Sequence, residues 1–203
     1  MADFVGVSDV YVWKVIKDDD TAYETGEIES LSRTGELSQT TEQAQNVVYY
    51  SNIAAYAVNS RGATTISAVV EALALQALAK IYGTTLDDTT GALIDDGIAK
   101  DIALGVSFRA DYVGEEGARY YSYPKVTISI PDENTKTKDA GTDTLNQSLT
   151  ITAVSTKYKF ASTGKHCKVV IADTENSGTK LNLDKWFEQP ITPDSLADIR
   201  ISA

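Results

Sequence analysis

Apolar and polar residues alternate along much of this chain, and the pattern predicts a protein built mainly from short β-strands. Residues 4–18, FVGVSDVYVWKVIKD, are rich in β-branched and aromatic side chains, and their alternation loses phase near Ser8 and Asp9. We expect an extended segment here with an irregularity at that point. The clearest alternation lies in residues 102–109. It predicts inward side chains at Ile102, Leu104, Val106 and Phe108, and outward ones at Ala103, Gly105, Ser107 and Arg109.

Further segments have the same extended character. They are residues 27–38, Val47 to Tyr50, Ile53 to Val58, 120–131, 145–158 and 165–173. In the segment 120–131, the predicted inward residues are Val126, Ile128 and Ile130, opposite Thr127 and Ser129. A polar turn ending at Gly62 is expected to join or follow the two tyrosine-containing pieces.

The stretch from Thr64 to Gly83 changes character halfway, from TTISAVV to EALALQALAKIY. The first part alternates with period two, which predicts a half-buried strand. Its two faces are Thr64, Ile66, Ala68 and Val70 on one side, and Thr65, Ser67 and Val69 on the other. From Glu71 to Tyr82 the residues are mostly good helix formers, and Gly83 is suited to ending a helix. We therefore expect the strand to run directly into a helix of about three turns at residues 71–82.

Many short strands with a single convincing helix are typical of an antiparallel β-sandwich or partly closed barrel with one flanking α-helix. At 203 residues the chain is long enough for one well-buried core. We interpret residues 1–203 as a single domain with a mobile loop or arm at 131–144 and a C-terminal extension at 181–203. Within that extension, LDKWFEQP predicts a short helix anchored by Trp186 and Phe187.

Composition and charge narrow the class of protein. No apolar run approaches the roughly 18 residues of a membrane span, and the first residues lack the features of a signal peptide, so we expect synthesis in the cytosol. The formal net charge is −11. Residues 1–100 contain 15 acidic and 6 basic side chains, and residues 101–203 contain 14 and 12. A surface this acidic argues against a protein that grips nucleic acid, although DNA could slide past it without sticking.

Motifs for catalysis or cofactor binding are missing from the sequence. No phosphate-binding loop, dinucleotide fingerprint, nucleophile elbow or zinc-protease motif occurs. The single cysteine, Cys167, follows the single histidine, His166, and adjacent strand side chains point to opposite faces, which makes a shared site a poor geometry. Residues 173–184 partly match a calcium-binding loop, but a plain β-turn explains them better. We therefore expect no catalytic, cofactor or metal site and no enzymatic activity.

Several quoted stretches together resemble a known family. They are VGVSDVYVWKVIKDDDTAY, the acidic strand that follows it, TTISAVVEALALQALAKIYG and YYSYPKVTISIP. In the order of their elements and in their local sequences, over about residues 4–172, they look like the major tail proteins of long non-contractile-tailed (siphovirus) phages of Gram-positive bacteria. The loop at 131–144 is unusually plain for that family, and we expect no appended immunoglobulin-like domain and therefore no surface-decorating role.

The resemblance implies a structural virion protein whose copies form hexameric rings, stacked into a tail tube through which genomic DNA passes without specific binding. Implied partners are the tape measure protein and the tail terminator and distal tail proteins. The implied location is the virion tail, after synthesis in the host bacterial cytoplasm and with no membrane association. An acidic lumen would repel the DNA backbone. The candidate ring-interface residues are Val47, Val48, Tyr49, Tyr50, Ile53, Tyr56, Val58, Thr65, Ser67 and Val69.

Two other classes of function remain open from the sequence. Exposed tyrosines and the weak calcium-loop match could serve a monomeric β-sandwich module that binds a carbohydrate or another cell-surface ligand. A hydrolase with dispersed carboxylates is a further alternative, because the sequence does not reveal which acids share a cleft. Self-association without a ligand distinguishes a tube subunit from a binding module, which would stay monomeric and be stabilised by its ligand.

Overall fold

A computed structural model describes residues 3–8, 10–50, 53–98, 100–114, 117–131, 146–176 and 178–201. These residues form ten β-strands in one antiparallel sheet together with one α-helix, which confirms the predicted fold class. The strands are β1 (Phe4–Val7), β2 (Val10–Asp18), β3 (Tyr23–Thr25), β4 (Glu29–Ser32), β5 (Thr34–Tyr50), β6 (Ile53–Val70), β7 (Leu104–Tyr112), β8 (Ala118–Ile128), β9 (Gln147–Ala153) and β10 (Val170–Asp173). The helix α1 spans Leu75–Tyr82, between β6 and β7.

The sheet runs in the order β3-β2-β7-β8-β9-β6-β5 and does not close on itself. Strand β4 pairs with β2, β1 pairs with β7, and β10 pairs with β8. The break between β1 and β2 falls at the predicted irregularity, where the Ser8 hydroxyl accepts a hydrogen bond from the Arg109 amide at 2.9 Å. Asp9 lies outside the described residues. Near Pro124 the pairing of β7 with β8 shifts by one residue, a bulge that accommodates a residue without an N–H group.

One face of the sheet, here called the helix-side face, carries the main core. Its inward residues on β6 are Thr64, Ile66, Ala68 and Val70, all at most 2% exposed. Thr65 and Val69 on the opposite face are half-buried and Ser67 is exposed, so the predicted alternation of this strand is confirmed. Leu78 and Ile81 of α1 pack against this core. The single helix therefore covers the face on which the sequence concentrates its aliphatic side chains.

The helix begins later than predicted. Residues 71–74 follow β6 without helical structure and with a bend at Glu71, and Ala74 is extended with φ −65° and ψ 150°. The amide of Glu71 donates to the Arg33 carbonyl at 3.1 Å, and the amide of Leu73 donates to Oε1 of Gln147 at 2.9 Å. These tertiary hydrogen bonds and the burial of Leu73 outweigh the intrinsic helix preference of the segment. Gly83 ends the helix as predicted, with φ 67°.

The opposite face, here called the C-terminal-side face, is covered by residues 180–201. Trp186 is fully buried and donates through Nε1 to the hydroxyl of Ser107 at 2.9 Å. The hydroxyl of Ser122 donates to the Ile191 carbonyl at 2.6 Å. The outward positions predicted at Gly105 and Ser107 are therefore wrong as solvent positions: Ser107 is buried beneath this second layer, and Gly105 is buried beneath the indole of Trp13.

The C-terminal anchor is confirmed, although its helix is short. Leu183–Lys185 form a single 3₁₀ turn before Trp186. The ring of Phe187 stacks on Tyr11 of β2 with the two ring centroids 4.4 Å apart.

Three other boundaries differ from the prediction. The polar turn ending at Gly62 is wrong, because β6 continues without a break through that position. The extended segment 27–38 divides into β4 and β5, and Ile130 lies beyond the end of β8 with 56% of its surface exposed. The predicted strand 165–173 contributes only β10 to the sheet. Of the predicted mobile loop 131–144, all but Pro131 lies outside the described residues.

Candidate assembly surface

The longest hairpin of the molecule extends beyond the rest of the sheet. Strand β6 pairs with β9 only from Thr64 to Val70. From the pair Gln43 and Arg61 to the pair Tyr50 and Ile53, the described strand pairing is between β5 and β6 alone. We call this two-stranded ribbon, residues 43–50 and 53–61, the arm.

The arm is exposed at all but one of the positions whose side chains are described, the exception being the half-buried Val48. Residues 42–47, 57 and 59–61 are all exposed, including Val47 at 38% of its surface. A two-stranded ribbon without further cover is only marginally stable in water, and exposed strand edges readily pair with other chains. The arm therefore has the properties of a segment that is completed by contact with another molecule.

The predicted ring-interface residues fall into two groups. Seven of them, Val47, Val48, Tyr49, Tyr50, Ile53, Tyr56 and Val58, belong to the arm. Cross-strand register places Val48 opposite Tyr56 and Tyr50 opposite Ile53, so the arm brings this group together. Thr65, Ser67 and Val69 instead lie at the base of β6, where the strand pairs with both β5 and β9.

Sequence reasoning missed residues 39–46, which include the first part of the arm. This segment, QTTEQAQN, belongs to β5 but has no large apolar side chain on either face. Periodicity methods detect a strand through one buried face, and this segment has none within its own chain. The threonine pair at 40 and 41 is the only local signal of β preference.

A concavity of about 770 Å³ opens at the base of the arm. Its polar groups are mostly amides and hydroxyls held by each other: Tyr123 donates to Oε1 of Gln39 at 2.7 Å, and the Thr41 and Thr64 hydroxyls lie 2.8 Å apart. Lys168 closes one side by donating to the Gly62 carbonyl at 3.0 Å. Its described lining residues include no carboxylate, histidine or cysteine. The described lining of the concavity therefore lacks the imidazole or carboxylate that most often acts as a general base.

The candidate chemical residues from the sequence, Cys167, His166 and the partial calcium loop at 173–184, do not line this concavity. Burial raises the pKa of the Cys167 thiol to about 11, so the thiolate that would act as a nucleophile is scarce at neutral pH, while His166 is exposed. In the partial calcium loop, the Asp173 carboxylate already accepts hydrogen bonds from the Tyr112 hydroxyl, Nε of Arg119 and the amide of Glu175. Among the described residues, no three His, Cys, Asp or Glu side chains gather as a metal site would require.

One buried carboxylate has a clear structural task. Asp18, at the end of β2, accepts hydrogen bonds from Nζ of Lys125 at 2.5 Å and from the amides of Lys157 and Tyr158 at 2.9 Å. Burial alone would raise its pKa, but these hydrogen bonds together outweigh burial and the pKa is lowered. The ionised carboxylate thereby holds the segment after β9 against the edge of the sheet.

Comparison with known proteins indicates the family to which this chain belongs. In the described part of the chain, no helical segment has the length and apolar character of a bilayer-spanning helix. A search of curated proteins gave no match. A family model described as phage tail tube protein matches residues 18–188, which include β3 to β10, the helix and the arm. The match covers most of the chain, and the protein belongs to the phage tail tube protein family.

Proposed function

We propose that this protein is the tail tube subunit of a siphovirus that infects a Gram-positive bacterium. Copies assemble into hexameric rings, and the rings stack into a tube that conducts the genome during ejection. The observation that carries the proposal is the arm, which pairs only within its own hairpin among the described residues and exposes both of its faces. Family membership indicates a phage tail tube protein, and the exposed arm gives a physical reason why copies of the chain would assemble.

Contact between neighbouring copies would complete the arm. Seven of the ten candidate interface residues lie on it, and burying an exposed apolar side chain such as Val47 against a second copy removes apolar surface from water. Strand edges that pair around a closed ring no longer present templates for aggregation. Thr65, Ser67 and Val69 extend the same surface toward the base of β6.

The charge of the chain suits a passage for DNA. The first hundred residues carry 15 acidic and 6 basic side chains, and they include the arm. A bore lined from this part of the chain would repel phosphates, so that moving DNA meets few positions at which it binds.

In this proposal the whole chain acts as a single tail-tube domain without catalysis or cofactor. The loop at 131–144 contributes to contacts between rings, whereas the extension at 181–203 covers the C-terminal-side face of its own subunit through residues such as Trp186. The tube would enclose a tape measure protein and end at tail terminator and distal tail proteins. The subunit would be made in the host cytoplasm and function in the virion.

The direct test is assembly of the purified chain. Sedimentation velocity and electron microscopy over rising protein concentration should show rings with six copies and then tubes. A matched variant replaces residues 45–59 by an Asn-Gly turn, which joins the paired residues Ala44 and Ser60 and suits a two-residue hairpin.

The shortened variant should fold, with the circular dichroism of the parent, and remain monomeric. Persistent monomers of the intact chain at all concentrations and salt conditions would contradict the proposal. Tubes formed by the shortened variant would show that assembly does not depend on the arm.

A further inference from the structure

A basic hairpin interrupts the otherwise acidic surface of the protein. Residues 157–168, KYKFASTGKHCK, contain four lysines and a histidine and no acidic residue. The amide of Thr156 donates to the Cys167 carbonyl at 2.9 Å, and the amide of Phe160 donates to the Lys165 carbonyl at 3.1 Å. Phe160 is buried, so the hairpin is fixed to the body of the molecule. We call residues 156–168 the basic hairpin.

The lysines of the basic hairpin have no carboxylate partner among the described residues. Two carboxylates contact the hairpin through its backbone. Asp18, which also pairs with Lys125, accepts hydrogen bonds from the amides of residues 157 and 158, and Asp194 accepts them from the amides of residues 161 and 162. Neither carboxylate forms a described ion pair with a lysine of the hairpin, and the four lysines outnumber these two acids. The hairpin therefore presents net positive charge on a protein whose net charge is −11.

Opposite charge gathers in the segment between α1 and β7. Residues 84–103, called here the acidic loop, contain five aspartates and one lysine. Asp88 and Asp101 are exposed and make no described ion pair, whereas Asp96 pairs with Lys100 at 3.2 Å. The loop also exposes large apolar side chains: Ile94 is 65% and Ile98 is 67% exposed. Exposed apolar residues surrounded by charge are typical of an interaction surface.

The acidic loop and the turn of the basic hairpin around Phe160 lie on opposite faces of the sheet. Leu93 and Ile102 of the acidic loop pack against the core of the helix-side face. On the other side, the ring of Phe160 meets Tyr23 edge-on, and Tyr23 accepts a hydrogen bond from Trp13 on the C-terminal-side face. A molecule with opposite charges on opposite faces favours head-to-tail contact between copies.

We propose that the basic hairpin of one copy docks on the acidic loop of the next copy, in a heterologous contact that fixes the orientation of subunits. This inference rests on the proposed tube function and goes beyond it by naming two surfaces that meet. The charges give specificity and speed to the encounter, and Ile94 and Ile98 supply the apolar surface that is buried. A symmetric contact would instead bring like charges together.

The test uses two charge-reversal variants of the full chain. One carries Lys159→Glu and Lys165→Glu in the basic hairpin, and the other carries Asp88→Lys and Asp101→Lys in the acidic loop. All four side chains are exposed and lack a described intrachain ion pair. Each variant alone should require about tenfold more protein for half-maximal assembly, measured by sedimentation at low salt. An equimolar mixture should assemble as well as the parent, because each reversed surface then meets a surface of opposite charge.

Matched controls reverse charges at exposed positions outside the two segments. They are Lys180→Glu with Lys185→Glu, and Glu188→Lys with Asp198→Lys. These controls should assemble like the parent, and high salt should weaken the parent and the mixture alike.

Each outcome decides between the proposals. If the parent forms tubes and both reversal variants assemble equally well, the docking inference is wrong and the tube function stands. If the variants assemble poorly but the mixture does not recover, the two surfaces do not face each other. If the hairpin reversal abolishes binding of a short DNA duplex and leaves assembly intact, the hairpin binds nucleic acid instead. A parent that never assembles overturns both the tube function and this inference.

Discussion

The centre of the sheet and the arm are both built from long extended strands, but they differ in what covers them. At the centre, β7 has the α1 core on one face and the C-terminal segment on the other, and Val106 and Ser107 are both fully buried. In the arm, β5 and β6 pair with each other, and Val47 keeps 38% of its surface exposed. The same residue type therefore contributes to folding in one region and remains available for association in the other.

This difference indicates which variants separate folding from assembly. Changes at the centre should lower the free energy of unfolding of the monomer, because they disturb close packing on both faces of the sheet. Changes in the arm should leave that free energy nearly unaltered and act on assembly.

The largest effect is expected at Trp186. Truncation by Trp186→Ala removes the largest side chain of the second layer and leaves the buried Ser107 hydroxyl without this donor. The free energy of unfolding should fall by about 3 to 5 kcal/mol, measured by urea denaturation at monomeric concentrations. Trp186→Phe, which keeps an aromatic ring but loses the indole N–H, should lose less. A loss under about 1 kcal/mol for the alanine variant would mean that the C-terminal segment contributes little to the fold.

A smaller effect is expected at Gly105, where β7 passes beneath the indole of Trp13. A Cβ at this position would overlap the indole ring, so Gly105→Ala should cost about 1 to 3 kcal/mol. Gly35→Ala in β5 is the matched control, because its new Cβ would meet only the Val69 carbonyl, at 3.8 Å. Thermal unfolding of both variants checks the contrast. Equal losses would contradict the idea that the centre is packed more tightly than the hairpin.

The sequence predicts the helix-side face well because local signals and tertiary packing agree there. Ile66, Ala68 and Val70 alternate with residues of the other face and are buried as expected. Gly83 ends the helix in the left-handed conformation that glycine adopts without strain. Trp186 was also recognisable as an anchor, since a large aromatic residue in a polar tail seldom remains exposed.

The burial of the C-terminal-side face could not be predicted in the same way. Ser107 has the small polar side chain of a solvent-facing position, and its burial depends on Trp186, 79 residues later in the chain. The predicted start of the helix is wrong for a related reason: the Leu73 amide donates its hydrogen bond to a distant side chain, that of Gln147. The burial of Ser107 and the conformation at Leu73 depend on partners that are distant in the chain. Local sequence patterns do not reveal such partners.

The arm was recognised only in its apolar half. Val47 and Val48 gave a signal, but residues 39–46 have polar side chains on both faces. A strand whose cover comes from another copy has no buried face within its own chain, so period-two alternation is lost. The candidate interface residues at the arm therefore stay a prediction.

Asp18 lies where β2 ends, between the buried centre of the sheet and the exposed surface. Asp18 is buried, but its hydrogen bonds from Lys125 and two backbone amides lower its pKa below the ordinary value of 3.8. A lowered native pKa stabilises the fold above the unfolded-state pKa, and that contribution is lost as pH falls through the native pKa. Stability should therefore decline as pH drops below about 4, more steeply for the parent than for Asp18→Asn.

At neutral pH, Asp18→Asn should cost about 1 to 3 kcal/mol, because Lys125 loses its charged partner. Urea unfolding at a series of pH values measures both effects. The neighbouring exposed residue gives the control, Asp20→Asn, which should leave neutral-pH stability within about 0.5 kcal/mol of the parent. Identical pH dependence in Asp18→Asn and the parent would show that this carboxylate does not contribute to acid sensitivity.

The smallest effect on folding is expected in the arm, at Val47→Ala. The Val47 side chain is already partly exposed to water, and at this position the strand pairs only within its own hairpin. The free energy of unfolding of the monomer should therefore fall by no more than about 0.5 kcal/mol. The same truncation at the centre, Val106→Ala, removes a side chain with no exposed surface and should cost roughly 2 kcal/mol. The proposed assembly predicts the reverse order for tube formation under conditions in which both variants are folded: Val47→Ala should need a higher protein concentration, and Val106→Ala should not. If Val47→Ala destabilised the monomer as much as Val106→Ala, the arm would be packed within its own chain, and the argument that it awaits a second copy would lose its basis.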